Sequence, residues 1–403
     1  MTAGVTVLVT GGEHFGGLAA VRALAQAGYE TWAAVTTESS YAAKSRFPVG
    51  RLLVPDPANG ALPFVQALVD AAGRLQVDVV LPGTDVALTA LAEHADLFPA
   101  SVALGVCPPD TVKRATEKAV LSDLAAAAGI AVPPTQVIAR DELDNLEALD
   151  LAFPAVVKMV RSDVADRRGT LVHAGAFYVK DAEELREVAG GLPGEAWLAQ
   201  PFLEGDLVAV AGVASEGTVI TAVHQVADRI WPTDCGGSSY GRTIAPDVAR
   251  ERTVRQLVAE LGWTGIFQLQ VLRSGAREFL IDFNPRFYGT LGLALAARVN
   301  LPQLWVELLL GETPEPAAGY KVGARYRAQL NDLRAMAVLA RSGSWSAALR
   351  GLLPRPGTCH PVFAWNDPVP VLVGWGRVRR TAAAATFKVV GGRQLGGEVD
   401  KPA

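Results

Sequence analysis

A chain of 403 residues exceeds what one core organises, and at roughly 100–200 residues per domain two to four units are expected. Half of it is apolar and 19% is charged, which excludes wholesale disorder. A net charge of −4, a pI near 5.8 and the lack of a long basic run argue against nucleic acid or an anionic membrane surface as partner. Cys107, Cys235 and Cys359 lie far apart with no CxxC spacing, so neither a disulfide framework nor a zinc site is implied, and a reducing, cytoplasmic location is expected. The start, MTAGVTVLVTGG, lacks the basic region and cleavage pattern of a signal peptide and reads as a β-strand. No stretch of about 18 apolar residues runs free of charge or turn signals, so no membrane span is expected.

The first hundred residues alternate short apolar runs with amphipathic stretches. Val5–Thr10, Glu30–Val35 and Val77–Pro82 read as strands, and Leu18–Ala27 as a helix entered through Gly11-Gly12 and Gly16-Gly17. This alternation predicts a parallel sheet with helices on both faces. The glycines do not match GxGxxG, so they are read as serving the backbone at a strand-to-helix turn rather than a dinucleotide. Thr111–Gly129 then reads as one amphipathic helix, and Val132-Pro133-Pro134-Thr135 as extended chain. Strands follow at Ala155–Val160, Thr170–Val179 and Ala196–Pro201, with a helix near Ala182–Ala189 and a meander through His224. Thr253–Leu261, Leu291–Ala297 and Leu301–Leu310 read as helices, Gly265–Leu272 and Glu278–Asn284 as strands. The segment from about Pro314 carries Arg334, Arg341, Arg350, Arg355 and several Trp and Pro residues.

The most informative stretch is GIFQLQVLRSGAREFLIDFNPR, Gly265 to Arg286. Read with period two, Phe267, Leu269 and Val271 share one face, with Gln268 and Gln270 on the other. In the second arm Phe279, Ile281 and Phe283 face one way, and Glu278, Asp282 and Asn284 the other. If the hairpin is symmetric about Gly275, Gln268 stands opposite Asp282, at about 5 Å between Cβ atoms. An oxygen-rich cluster of Asp282, Gln268 and Asn284 suits a hard cation such as Mg²⁺, and Arg286 offers a fork of donors for phosphate oxygens. The plain alternative is an ordinary hairpin with a solvated polar face.

IDFNPR, Ile281 to Arg286, resembles the ExNPR signature of ATP-grasp enzymes, and the Gln268-to-Asp282 interval is similar to one in the carbamoyl phosphate synthetase large subunit. The resemblance implies that Gln268, Asp282 and Asn284 hold Mg²⁺ (or Mn²⁺) between ATP phosphates, with Arg286 approaching the transferred phosphoryl group. Asp282 replaces the usual Glu and reaches one methylene less far. Further stations fall in the family's order. Thr116-Glu117-Lys118 with AGIAVPPT (Ala128 to Thr135) resembles the "DK…GIPVPPT" segment, and FPAVVKMV (Phe153 to Val160) the "YPVVVKP" strand, so Lys118 and Lys158 are implied to contact phosphates. Gln200-Pro201-Phe202-Leu203-Glu204-Gly205 resembles the "QEYIPG" hinge that holds adenine by its backbone, with Asp206 standing for the acid on the ribose.

The loop Arg161 to Thr170 holds a single glycine where many members are glycine-rich, so Arg167 or Arg168 is expected to take over part of the phosphate contact; a solvated charged loop is the alternative. Trp231 to Asp247 falls where the family places a loop beside the second substrate. Ser238 and Ser239 there are read as anion contacts, and Arg242 as the side chain that binds a carboxylate or steadies an acyl phosphate; a plain turn is the alternative.

The resemblance spans about residues 1 to 310 and implies an α/β (α+β overall) ATP-grasp fold with an N-terminal parallel-sheet pre-ATP-grasp domain. The expected units are 1–110 (Rossmann-like), 111–195 (the small lid-bearing part of the grasp), 196–313 (its metal-binding C-terminal part) and 314–403 (an extension). The implied activity is an ADP-forming ligase, expected as a homodimer, that joins a small-molecule carboxylate to an amine, amino acids among them. Three other readings stay open: a carbamoyl phosphate synthetase-like enzyme, a carboxylase-like enzyme, and a nucleotide-binding module with a dead site.

Overall fold

The computed structural model describes residues 4–373 apart from 162, 167, 168 and 174. The chain begins with β1 (Thr6–Val9), α1 (Phe15–Gln26), β2 (Glu30–Val35), β3 (Gly50–Leu53), α2 (Ala61–Leu75), β4 (Val79–Leu81), α3 (Asp85–Glu93) and β5 (Ala103–Leu104). The strands form a parallel sheet in the order β3-β2-β1-β4-β5, as the alternation predicts. The turn from β1 into α1 needs its glycines sterically, because a Cβ on Gly17 would stand 2.2 Å from the Gly11 carbonyl oxygen.

Next come α4 (Pro109–Thr116) and α5 (Lys118–Ala127), where a single helix was expected. Glu117 is extended (φ −83°, ψ 110°) and its backbone bridges to Arg161, so a long-range pairing overrides the local helical pattern. The next elements are β6 (Gln136–Ala139), β7 (Ala155–Met159), β8 (Asp163–Ala165), β9 (Leu171–His173), β10 (Phe177–Val179), α6 (Ala182–Gly191) and β11 (Ala196–Pro201), four of whose strands form a small sheet. Its order is β10-β7-β11-β6, while β8 and β9 pair only with each other. The expected single strand at Thr170–Val179 is therefore two.

The largest sheet takes β12 (Asp206–Ser215), β13 (Thr218–Trp231) and β14 (Gly237–Thr243), then α7 (Val248–Leu261), β15 (Gly265–Ser274), β16 (Arg277–Asn284), α8 (Leu291–Ala296) and α9 (Leu301–Leu309). It ends with β17 (Arg325–Arg327), α10 (Gln329–Arg341), α11 (Trp345–Leu352) and β18 (Thr358–Cys359). The strand order β16-β15-β12-β13-β14-β17-β18 carries this sheet across position 313 into the C-terminal segment.

Burial explains the layering. One face of the large sheet packs Val208, Val210, Val226, Phe267 and Leu269 against α4, α5 and α7. Its other face shares a core with the first sheet, in which Ala211, Val223 and Ile266 meet α1, α8 and α9. Phe267 stacks on Phe283 at 5.9 Å, and truncating such a fully buried ring costs about 3–5 kcal/mol. The small sheet has its own core around Val157, Leu185 and Trp197. It meets the rest where Lys118 N–H donates to the Val160 carbonyl (3.1 Å) and Leu280 N–H to that of Ala131 (2.8 Å).

Candidate active site between the two grasping sheets

The break at Glu117 sets Lys118 at the first turn of α5, beside the end of β7. Lys158 stands on β7 opposite Leu198 of β11. Both lysines line one narrow cleft with Leu121, Ser122, Leu198, Gln200, Leu280 and Ile281. Burial first, and the positive charge of Lys118 second, lower the Lys158 ammonium from its ordinary 10.5 to about 8, against the opposing pull of Asp282 and Cys235. Two cations and one carboxylate, far apart in sequence, are thus within electrostatic reach of one another. A site that holds lysines near each other at such a cost is suited to an anion.

The hairpin departs from its expected register. Ser274 pairs with Arg277, so the turn is Gly275-Ala276, with Gly275 at φ +61°. A bulge at Ile281 then adds a residue to β16, and Gln268 faces Asn284 while Gln270 faces Asp282. The bulge also reassigns the faces: Leu280 and Phe283 enter the core with Phe267, whereas Ile281 lines the cleft and Phe279 lies outside that core. Bulges re-aim side chains in this manner. Strict alternation missed it because nothing local marks the extra residue.

Around the hairpin a buried amide layer forms. Gln225 Nε2 and Gln268 Nε2 both donate to Thr290 Oγ1, at 2.9 and 3.0 Å. Asn284 Nδ2 and Gln270 Nε2 approach Gln268 Oε1 at 3.4 Å each. No group of three His, Cys, Asp or Glu that could hold a metal occurs among the described residues; the hairpin offers the Asp282 carboxylate beside the amide oxygens of Gln268, Gln270 and Asn284. That set fits Mg²⁺, which is commonly held by one or two carboxylates together with substrate phosphates and water. Beside it opens a cavity of about 180 Å³, lined by Gln225, Gln268, Gln270 and Thr290 on its polar side and by Phe15, Leu207, Trp231 and Tyr326 on its apolar side.

Comparison with known proteins agrees with this geometry. Residues 194–330 match the family model described as "ATP-grasp in the biosynthetic pathway with Ter operon". Among solved structures, the chain is similar to N5-carboxyaminoimidazole synthetase from Staphylococcus aureus complexed with ADP (TM-score 0.61, 12% identity, 81% of this chain and 82% of that one). It is also similar to the L-amino acid ligase from Bacillus licheniformis (TM-score 0.59, 15% identity, 77% and 75%). The biotin carboxylase from Campylobacter jejuni gives a TM-score of 0.59 at 12% identity, over 79% and 74%. The chain has the ATP-grasp fold. No curated protein matches it in sequence.

Within this ATP-grasp fold the remaining expected residues take varied positions. Gln200 is buried and donates to Thr135 Oγ1 at 2.8 Å. After it, Pro201 has no N–H and Phe202 N–H is held by the Pro154 carbonyl (2.8 Å), so neither offers a backbone donor to a base edge. Asp206 is exposed and paired with Arg273 at 2.6 Å. Arg286 reaches across to Asp85 of the first unit (3.0 Å) and donates to the Phe287 carbonyl, so any phosphate contact shares its donors. Ser238 lines the cavity, whereas Ser239 is fully buried, with no hydrogen-bond partner for its hydroxyl among the described residues.

Arg242 is not brought to the cluster. It pairs in register with Val226, whose side chain enters the core under α7, so Arg242 leaves the sheet on the face opposite Gln225. Its guanidinium lies 3.4 Å from Asp228. Arg167 and Arg168 lie outside the described residues. Sequence reasoning passed over Gln225, Thr290, Leu280 and Ile281; alternation along β13 could have singled out Gln225, but Thr290 carries no local signal.

Proposed function

We propose that this chain is an ATP-dependent ligase that activates a carboxylate as an acyl phosphate and joins it to an amine, releasing ADP and phosphate. The observation that carries the reading is the meeting of Lys118 and Lys158 at one cleft, within electrostatic reach of Asp282, while Gln268 and Gln270 of the same hairpin line a second cavity. In this reading the base lies against Leu198, Leu280 and the Gln200–Leu203 stretch, with the phosphates toward the two lysines. Asp282, Asn284 and Gln268 would hold Mg²⁺, which supplies charge neutralisation at the phosphates.

A carboxylate oxygen attacks the γ-phosphorus while Lys118 and Lys158 carry the charge that develops on the phosphoryl oxygens. ADP leaves, and the amine nitrogen then attacks the acyl carbon, expels phosphate and loses a proton. Support also comes from the fold: one similar structure is of an L-amino acid ligase and another is an ADP complex.

The test is an ADP-release screen of carboxylates crossed with amino acids, with product masses read in parallel. ADP formation that requires both partners is expected. Turnover with bicarbonate alone would move the chain to the carboxylating or carbamoylating enzymes. Nucleotide binding without turnover by any pair would mark a module with a dead site.

A further inference from the structure

The helical pair near the C-terminal end turns its apolar stripe away from the protein. Along α11, Trp345, Leu349 and Leu352 recur at i, i+4 and i+7, the spacing of one helical face. Only Ala348 of that helix is buried. The helix docks through its small residues: a Cβ on Gly351 would meet Met336 Sδ of α10 at 2.2 Å, and Arg327 donates to the Gly351 carbonyl at 2.5 Å. The large side chains therefore point outward, with Trp345 65% and Leu349 64% exposed, joined by Leu353 and by Leu333 of α10. An amphipathic helix in a folded domain ordinarily buries that stripe, and a contiguous exposed apolar patch marks an interaction surface.

Charge narrows the partner. Between Asp332 and Asp367 the sequence holds no acidic residue but four arginines, Arg334, Arg341, Arg350 and Arg355, in a chain whose net charge is −4. The two bounding carboxylates are themselves buried, Asp332 against Arg229 and Arg327 and Asp367 against Arg22. Arg341, Arg350 and Arg355 are exposed. The chain-wide balance argues against an anionic surface, but that balance averages away a local cationic patch.

We propose that α10 and α11 form a peripheral docking surface for an anionic lipid bilayer. Trp345, Leu349 and Leu353 enter the interfacial layer, and Arg341, Arg350 and Arg355 meet headgroup phosphates. This is the form of a helix lying in the membrane plane, with a Trp/Leu face and an arginine flank. A second copy of the chain is a poorer occupant, because a two-fold contact would set the same arginines against each other. No helix among the described residues is long and apolar enough to cross a membrane, so the association is peripheral.

The experiment is flotation of the full chain with vesicles of phosphatidylcholine alone or with added phosphatidylserine, alongside the elution volume without lipid. Recovery with the anionic vesicles only, falling as salt rises, is expected. The triple variant Arg341→Glu/Arg350→Glu/Arg355→Glu is expected to lower partitioning by about a hundredfold. Trp345→Ser/Leu349→Ser is expected to lower it while leaving the melting temperature unchanged, since neither side chain is buried. Equal recovery with both vesicle types, or none with either, overturns the proposal. So does an oligomer that Trp345→Ser dissociates while vesicle binding persists, which would assign the surface to a second copy.

Discussion

Lys158 offers the sharpest test of the nucleotide cleft, because its charge is set by the fold. Burial between the two sheets, with Lys118 adding repulsion, brings its ammonium down to about 8. At that value about three-quarters of the side chain is charged at pH 7.5 and about a tenth at pH 9. The terminal phosphate, with its second pKa near about 6, keeps its charge over that range. If the ammonium meets the phosphates, ATP affinity measured by calorimetry in metal-free buffer falls about eightfold from pH 7.5 to 9. Lys158→Arg removes the slope, since a guanidinium does not titrate there, and Lys158→Met binds weakly at both pH values. The free protein carries the opposite sign. A lysine lowered on folding destabilises the fold below about pH 8, and the loss is recovered as pH rises from about 8 to 10.5. Lys158→Met is therefore expected to melt higher than wild type at neutral pH. A flat wild-type affinity, or an unchanged slope in Lys158→Arg, would refute the placement of this lysine on the phosphates.

Other consequences follow from the same geometry. Asp282→Asn removes the one carboxylate of the hairpin cluster and is expected to abolish Mg²⁺-dependent ADP formation in a protein that still melts cooperatively; near-wild-type turnover would falsify the metal assignment. Arg242→Ala, on the far face of the sheet, is expected to leave turnover within about twofold, consistent with an exposed pair worth little. A KM that rises for the carboxylate alone would return Arg242 to the pocket. His224 is buried with its Nδ1 3.3 Å from Arg250, and burial first and that cation second hold it down to about 4. Folded His224 thus binds fewer protons than unfolded chain between pH 4 and 6.5, so stability falls on acidification through that window, and His224→Gln is expected to flatten it in pH-dependent melts. Arg22 of α1 meets Asp367 at 2.9 Å in a buried pair that ties the C-terminal segment to the first sheet. Arg22→Ala leaves that carboxylate buried and unpaired, and a loss of about 3–5 kcal/mol is expected in denaturant unfolding.

The chain carried its architecture in local signals. Strand–helix alternation, the glycines before α1 and the run of motifs from Lys118 to Arg286 are each legible within a few residues. They suffice for the parallel sheet, the grasping sheets and the identity of Lys118, Lys158, Asp282 and Asn284 as site candidates. What stayed hidden depended on partners distant in sequence. Glu117 breaks a helix because its backbone finds Arg161, 44 residues on. Gln270 faces Asp282 because a bulge at Ile281 slips the register, and a slip of one residue turns a side chain to the other face. Arg242 left the candidate pocket for the same kind of reason: its face follows from pairing with Val226 and from the bulges in β13. Composition likewise averaged a cationic, apolar helical surface into a mildly acidic whole. Motif and periodicity determined which residues have the right chemistry, while register, bulges and the packing of sheet faces decided which of them meet, because pairing between remote strands is settled by the shared core and not by either strand alone.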